Sequence, residues 1–508
     1  MSRDLLLAID QGTTSTRAIA HDLQLRPVAA AQRPLGSRHP RPGWVEQDPE
    51  QILASVVESV AEVLDEVGGA GRIAAVGLDN QGETVVAWDS QTACALTPAV
   101  SWQCDRSRPI VERLRAAGHE PLVRTTTGLP LDPYFSAGKM AWLVENVPEV
   151  ARARDAGTLR LGTVDAWLTA RLGGEPLSDP STASRTQLLD LATASWSEPM
   201  LTLFDVPRAS LPRIVTTAGD LGTLGHATWG DVALPLTALA CDQQAALAGH
   251  GAITRPTTKA TYGTGVFVLA TAGERPPHPG EQLLATIAWQ LPGATTPSYA
   301  LDGGVFTAGA ALSWLADLGL IADPATSEEL AISVPDAGGV RVLPALAGLG
   351  APWWEPSARG VISGLSQATT RNHLARAVLD GIAHRVCDVV EAMARASGRA
   401  PQALRVDGGL TANRYLVQRQ ADLLGIPVDV ATASESTALG IAGLAGIGVG
   451  LIGPEVIASA AASVNRVEPR MADEPRQAER AAWLAFVRRA IDLAAARGEE
   501  GGASPSTA

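Results

Sequence analysis

The stretch LLLAIDQGTTSTRAIA at residues 5–20 reads as an apolar strand over 5–9, a polar turn over 10–16 and a second strand over 17–22. Gly12 permits a tight backbone path there, and the exposed amides with the hydroxyls of Thr13, Thr14 and Ser15 can ligate phosphate oxygens. Asp10 emerges from the apolar strand, where a carboxylate can hold Mg²⁺ directly or through water. A decorated hairpin with Asp as turn former is the plainer alternative. The pattern returns at residues 259–270, KATYGTGVFVLA, again strand, glycine- and threonine-rich turn, strand. A repeated β-turn-β unit near the start of each half predicts a duplicated fold with one phosphate-holding turn per half. The expected domains are 1–250 and 251–495, followed by a Gly/Ser/Pro-rich disordered tail at 496–508.

Outward from these turns, helices are expected at 49–66, 138–155, 159–172, 243–250, 307–318, 371–397 and 411–423. Strands are expected at 73–79, 84–88 and 404–406, and such mixing implies an α/β architecture. A chain of 508 residues exceeds one ordinary core. Its net charge of -13 argues against a nucleic-acid partner, while leaving room for a phosphorylated ligand held by a few donors and a metal ion. Cys94, Cys104, Cys241 and Cys387 form no C-x-x-C pair and no zinc spacing, and read as buried free thiols in a reducing cytosol. The N-terminus lacks a signal-peptide run, and the Gly- and Ala-rich stretch 436–453 reads as a closely packed buried helix rather than a membrane span. A cytoplasmic location is expected.

A third glycine-rich piece, VDGGLTAN at 406–413, joins a strand to a helix. Gly408 and Gly409 would let an adenine ring approach backbone that a β-carbon would obstruct, although an ordinary strand-to-helix turn explains the motif equally well. The only lysines, Lys139 and Lys259, complete no Walker A loop, and protein-kinase signatures are absent. Asp242 ends the apolar run LPLTALAC and precedes a helical Gln243-Gln244-Ala245. A carboxylate there suits general-base work on a substrate hydroxyl, or simply a helix N-cap.

Together these pieces resemble the FGGY carbohydrate kinases over residues 4–450, most closely the members that phosphorylate glycerol. The resemblance rests on DQGTTSTRA (10–18), PGWVEQDP (42–49), TTGLPLDPYFSAGKM (126–140), LGTVDAWL (161–168) and TASRTQLL (182–189). CDQQAALAG (241–249), TYGTGVF (261–267), GLGAPWWEPSARG (348–360) and RVDGGLTAN (405–413) extend it. It implies two duplicated actin-like ATPase (ribonuclease H-like) domains flanking a deep cleft. The implied activity is ATP- and Mg²⁺-dependent phosphorylation of glycerol to sn-glycerol 3-phosphate, in a homodimer or homotetramer. By motif match Thr13, Thr14, Ser15 and Arg17 would meet the nucleotide phosphates with Thr264 opposite, and Asp10 would serve the metal. Gly309, Ser313, Gly409 and Asn413 would lie along the nucleoside. Asp242 would be the base, and Glu83, Trp102, Tyr134, Gln243 and Phe267 would hold the polyol.

One departure bears on substrate. The family's loop N-Q-R-E-T reads Asn80-Gln81-Gly82-Glu83-Thr84 here, so Gly82 removes an arginine that donates to polyol oxygens. A lost charged hydrogen bond costs about 1.5–3 kcal/mol. Weak glycerol use, repair by another donor such as Arg106, or a larger substrate such as erythritol or a pentulose would each follow. A nucleotide-binding paralogue without turnover, or a conformational ATPase like actin, are the rivals from other classes.

Overall fold

A computed structural model describes residues 3–278, 280–432 and 435–501, with side chains as far as residue 494. The first quoted stretch is two antiparallel strands, β1 (Leu5–Gln11) and β2 (Ser15–His21), with β3 (Pro27–Pro34) beyond β2. On its other side β1 runs parallel to β4 (Ile73–Asn80). A short β5 (Thr223–Leu224) and the parallel β6 (Leu234–Cys241) complete the order β5-β6-β4-β1-β2-β3. Central strands β1, β4 and β6 are apolar runs buried on both faces, as parallel pairing under helices requires. One cover is α1 (Pro49–Val67), which buries Ile52, Val56, Val60 and Val63 at helical spacing. It is capped by Asp48, started by Pro49 and stopped by Gly68 at φ 85°.

The second half repeats this plan. β7 (Thr258–Tyr262) pairs antiparallel with β8 (Val266–Gly273), which pairs with β10 (Ser298–Val305) and through it with β9 (Leu284–Trp289). Parallel to β7 lies β11 (Leu404–Asp407), then β12 (Val428–Ala431), with β13 (Val464–Val467) at the edge. Strand for strand, β3-β2-β1-β4-β6 corresponds to β10-β8-β7-β11-β12, with antiparallel and parallel pairings in the same places.

The halves meet through helices. From the first half comes α2 (Asp242–Gly249), and from the second α6 (Ser436–Gly448). A β-carbon at Gly440 would collide with the Ala245 carbonyl, and one at Gly249 with the Ser436 carbonyl, so the two backbones touch directly. The apolar stretch near 436 is therefore a buried packing helix, and among the described residues no helix is long and apolar enough to cross a membrane. The other helices used below are α3 (Gly309–Asp317), α4 (Arg371–Ser397), α5 (Arg414–Leu424) and α7 (Asp473–Gly501).

Three expectations need correction. The helix expected over 138–155 is two, Ser136–Asn146 and Pro148–Asp155, because Pro148 lacks the N–H that would continue the first and suits the start of the second. The one expected over 159–172 is a strand, Leu159–Thr163, followed by a helix, Val164–Gly173. The helix expected from 411 starts at Arg414, after a 3₁₀ turn at Gly409–Ala412. Of the expected tail, α7 covers the backbone to Gly501, and 502–508 lie outside the described residues.

Candidate functional site

Register places the carboxylates. Asp10 on β1 lies opposite Asp79 on β4 and Arg17 on β2, while Cys241 on β6 lies opposite Asn80. Asp242, the first residue of α2, follows at once, so three carboxylates gather where these strands end. Asp79 is fully buried and neither of its oxygens has a hydrogen-bond partner. Burial first, and then the charges of Asp10 and Asp242, push its carboxyl far up. Burial also raises Asp10, and raises Asp242 with Asp10's charge adding to it. Among the described residues no three His, Cys, Asp or Glu side chains converge into a complete metal cage. Mg²⁺ needs only one or two carboxylates when phosphate oxygens and water complete its shell, and mutually repelling carboxylates with unpartnered oxygens fit such a cation.

Beside Asp242 opens a cavity of about 60 Å³. Its aromatic wall is Trp102, edge-on to Tyr134 at 5.6 Å and to Phe267 at 6.3 Å. Trp102 Nε1 donates to Thr13 Oγ1 at 2.9 Å, which ties the wall to the first turn. Glu83 and Gln243 belong to its polar lining, so the expected polyol residues are brought together. Thr13 lines this cavity too.

Both lysines are wholly buried and build this site. Lys139 Nζ donates to the Tyr134 and Phe135 carbonyls, and burial pushes its pKa down to about 8. Lys259 Nζ donates to Gln243 Oε1 at 2.6 Å and to Thr261 Oγ1 at 3.0 Å, linking the second half to the residue after Asp242. Gln81 reaches Gln11 and Gln47 through Nε2 and accepts from Thr84, bracing the first turn.

Gly82 does not leave a vacancy. A β-carbon there would stand 2.6 Å from Cys241 Sγ, with Arg185 Cγ at 3.5 Å. Arg106 does not repair the loss either: it donates to Glu46 at 2.7 Å and stacks over Trp44 at 4.1 Å. The arginine in the cavity is Arg185, bound to Glu83 at 2.8 Å and to Asp302 at 2.9 Å. The sequence reading assigned no role to Arg185, Asp302 or Cys241. Arg185 stood inside a quoted segment, TASRTQLL, where a lone arginine among small residues was the available signal.

The two turns expected to meet the nucleotide carry backbone amides and hydroxyls close together. Gly12 N–H bonds the Ser15 carbonyl at 3.0 Å, and Gly263 N–H bonds the Gly265 carbonyl at 2.8 Å, so each turn closes on itself. Thr14 is exposed and Ser15 half-buried. The Thr264 carbonyl accepts from Ala308 and Ala310, and Gly309 N–H donates to Gly263, which seats the second turn on the start of α3. Open space surrounds the missing β-carbon of Gly409. Ser313 is exposed on α3. Asn413 caps α5 through the Leu416 N–H and also donates to Ser327. Arg17 is paired with Glu435.

With the geometry described, comparisons place the chain among known proteins. The N-terminal domain profile of the FGGY family of carbohydrate kinases matches residues 5–249, and the C-terminal domain profile matches 258–449. A glycerol kinase of Citrifermentans bemidjiense is 46% identical over 492 residues, covering 96% of this chain and 98% of that protein. One of Thermus brockianus is 44% identical over 488 residues, covering 96% and 98%. The crystal structure of Plasmodium falciparum glycerol kinase with ADP superposes with a TM-score of 0.90 at 31% identity, covering 96% of this chain and 98% of that one. A xylulose kinase of Rhodospirillum rubrum superposes with a TM-score of 0.83 at 26% identity, covering 96% and 100%. The duplicated halves are thus the actin-like, ribonuclease H-like architecture of these enzymes, and the chain belongs to the FGGY family of carbohydrate kinases.

Proposed function

We propose that the protein transfers the γ-phosphoryl group of ATP to a primary hydroxyl of glycerol, giving sn-glycerol 3-phosphate. The observation that carries this reading is Asp242 at the edge of a cavity of about 60 Å³ walled by Trp102, Tyr134 and Phe267. At roughly 10–15 Å³ per water-sized group, that volume holds about four to six such groups, which suits glycerol better than a pentulose. Cys241 beside Gly82 also speaks against the larger substrate that a bare glycine would suggest.

In this reading Asp242 accepts the proton of the attacking hydroxyl, and a carboxyl raised by burial and by Asp10 is a better base than an exposed one. Lys259 fixes Gln243 against the substrate, and the aromatic wall covers the carbon edge and excludes water. The amides and hydroxyls around Thr13, Thr14, Ser15 and Thr264 orient the phosphates in line with that hydroxyl. Asp10, with Asp242 beside it, would hold Mg²⁺, which neutralises charge on the phosphate oxygens. Gly309, Gly409 and Asn413 border the nucleoside. Four free cysteines support a cytosolic setting, and a homodimer or homotetramer is the expected assembly.

The test is ADP release with Mg·ATP against glycerol, erythritol, xylitol, dihydroxyacetone and ribulose. Saturable glycerol turnover exceeding that with the longer substrates is expected. Preference for a tetritol or pentulose would retain the kinase chemistry and overturn the substrate.

A further inference from the structure

Arg185 and Asp302 are buried, 3% and 6% exposed, and both line the cavity. Arg185 comes from the first half and Asp302 from β10 of the second, so their ion pair spans the floor of the cleft. The guanidinium is held on two sides, with Nε on Glu83 and Nη2 on Asp302, and its carbon lies 5.9 Å from the Tyr134 ring centre. Among the described residues two polar atoms of this pair remain without a partner: Arg185 Nη1 and Asp302 Oδ1. Buried donors and acceptors are nearly always satisfied, and an orphan at a ligand cavity calls for a ligand atom or a water. Here one orphan is a donor and the other an acceptor, on residues already joined to each other.

A hydroxyl group answers both, because its oxygen accepts while its proton is donated. A carbonyl answers only the arginine and leaves the carboxylate oxygen unpaired, and a carboxylate would meet the negative charges of Glu83 and Asp302. We propose that Arg185 Nη1 and Asp302 Oδ1 together bind one secondary hydroxyl of the polyol, replacing the donor lost at Gly82 and selecting alcohols over ketones. Cys241 takes part by filling the volume beside Gly82, which keeps the substrate against this pair. The inference rests on the glycerol kinase reading and names the groups that set its specificity. A site built to pair a substrate hydroxyl discriminates strongly against an analogue that lacks it.

The experiment compares kcat/KM for glycerol and dihydroxyacetone in the parent enzyme and in Arg185→Lys and Asp302→Asn, with folding checked by thermal melting. The parent should prefer glycerol by about tenfold or more. Arg185→Lys should raise the glycerol KM by about ten- to a hundredfold with the KM for ATP unmoved. Asp302→Asn, whose amide can donate to a carbonyl, should reduce the preference for glycerol by about tenfold. Equal use of the two substrates by the parent overturns the proposal without any variant. So does an unchanged glycerol KM in folded Arg185→Lys, or an unchanged preference in folded Asp302→Asn. A parent that turns over no polyol fails the kinase reading, whereas a parent active on glycerol with insensitive variants fails only this one.

Discussion

Arg17, on the strand leaving the first turn, donates to Glu435, 418 residues further along the chain and just before α6. The residue expected to meet nucleotide phosphate is thus held by a carboxylate from the opposite half. Both side chains are about one-third exposed, 34% and 30%, so solvent screens the pair and it is easily exchanged. A phosphate that met Arg17 at the first turn would compete with Glu435 for the same guanidinium.

Glu435→Gln should therefore tighten nucleotide binding by about two- to fivefold at low salt, the range of an exposed ion pair. High salt should shrink the difference. Titration calorimetry with ADP reads both effects, and equal affinity of parent and variant at low salt would show that the pair does not compete.

Asp242→Asn removes the proton acceptor and keeps the side-chain volume. Turnover should fall by about 10²–10⁴, with ADP affinity within a few-fold of the parent. Retained turnover in an ADP-release assay would remove Asp242 from the role of base.

The Gly82 and Cys241 positions should be coupled. Gly82→Ala alone places a methyl group 2.6 Å from Cys241 Sγ and should destabilise the protein by about 1–3 kcal/mol. Combined with Cys241→Ala, most of that loss should vanish, because the sulfur that it strikes is gone. Urea midpoints of the four proteins measure the coupling, and strict additivity would contradict it.

His21, at the end of β2, is buried, and its Nδ1 has no partner. Burial depresses its pKa from 6.5 to about 4, with the neighbouring Asp22 charge opposing. The fold therefore favours the neutral ring. The stability this contributes is present above pH 6.5 and lost as pH falls through about 4, a change of up to about 3 kcal/mol. Chemical denaturation between about pH 7 and pH 4 should show a shallower loss for a folded His21→Leu variant than for the parent. Identical slopes would exclude His21 as a source of acid sensitivity.

Much of this was legible because it is local. The strand-turn-strand at Asp10 and its repeat at Thr261 carry their geometry in adjacent residues, and the structure places them in corresponding sheets. LRLGT at 159–163 was misread because five residues of mixed apolar pattern beside a helix carry no distinguishing period. Arg185 could not be paired from sequence. Its partner Glu83 is 102 residues away, and Asp302 belongs to the other half, so only closure of the cleft joins them. Cys104, Cys241 and Cys387 are buried as expected while Cys94 is exposed, and burial alone says nothing about which missing side chain Cys241 displaces.

The bare crossing of α2 and α6 has a mechanical meaning. Helices usually interlock side chains, and rotating one against the other first requires those knobs to leave their holes. At Gly249 and Gly440 the two backbones rest directly on each other, so the crossing has no room for even one added methyl group. Gly440→Ala would push the helices apart, and should slow turnover more than it weakens ADP binding; unaltered turnover in a folded variant would refute the idea. Since α2 begins with Asp242 and α6 follows Glu435, a shift of one helix against the other would move both carboxylates at once.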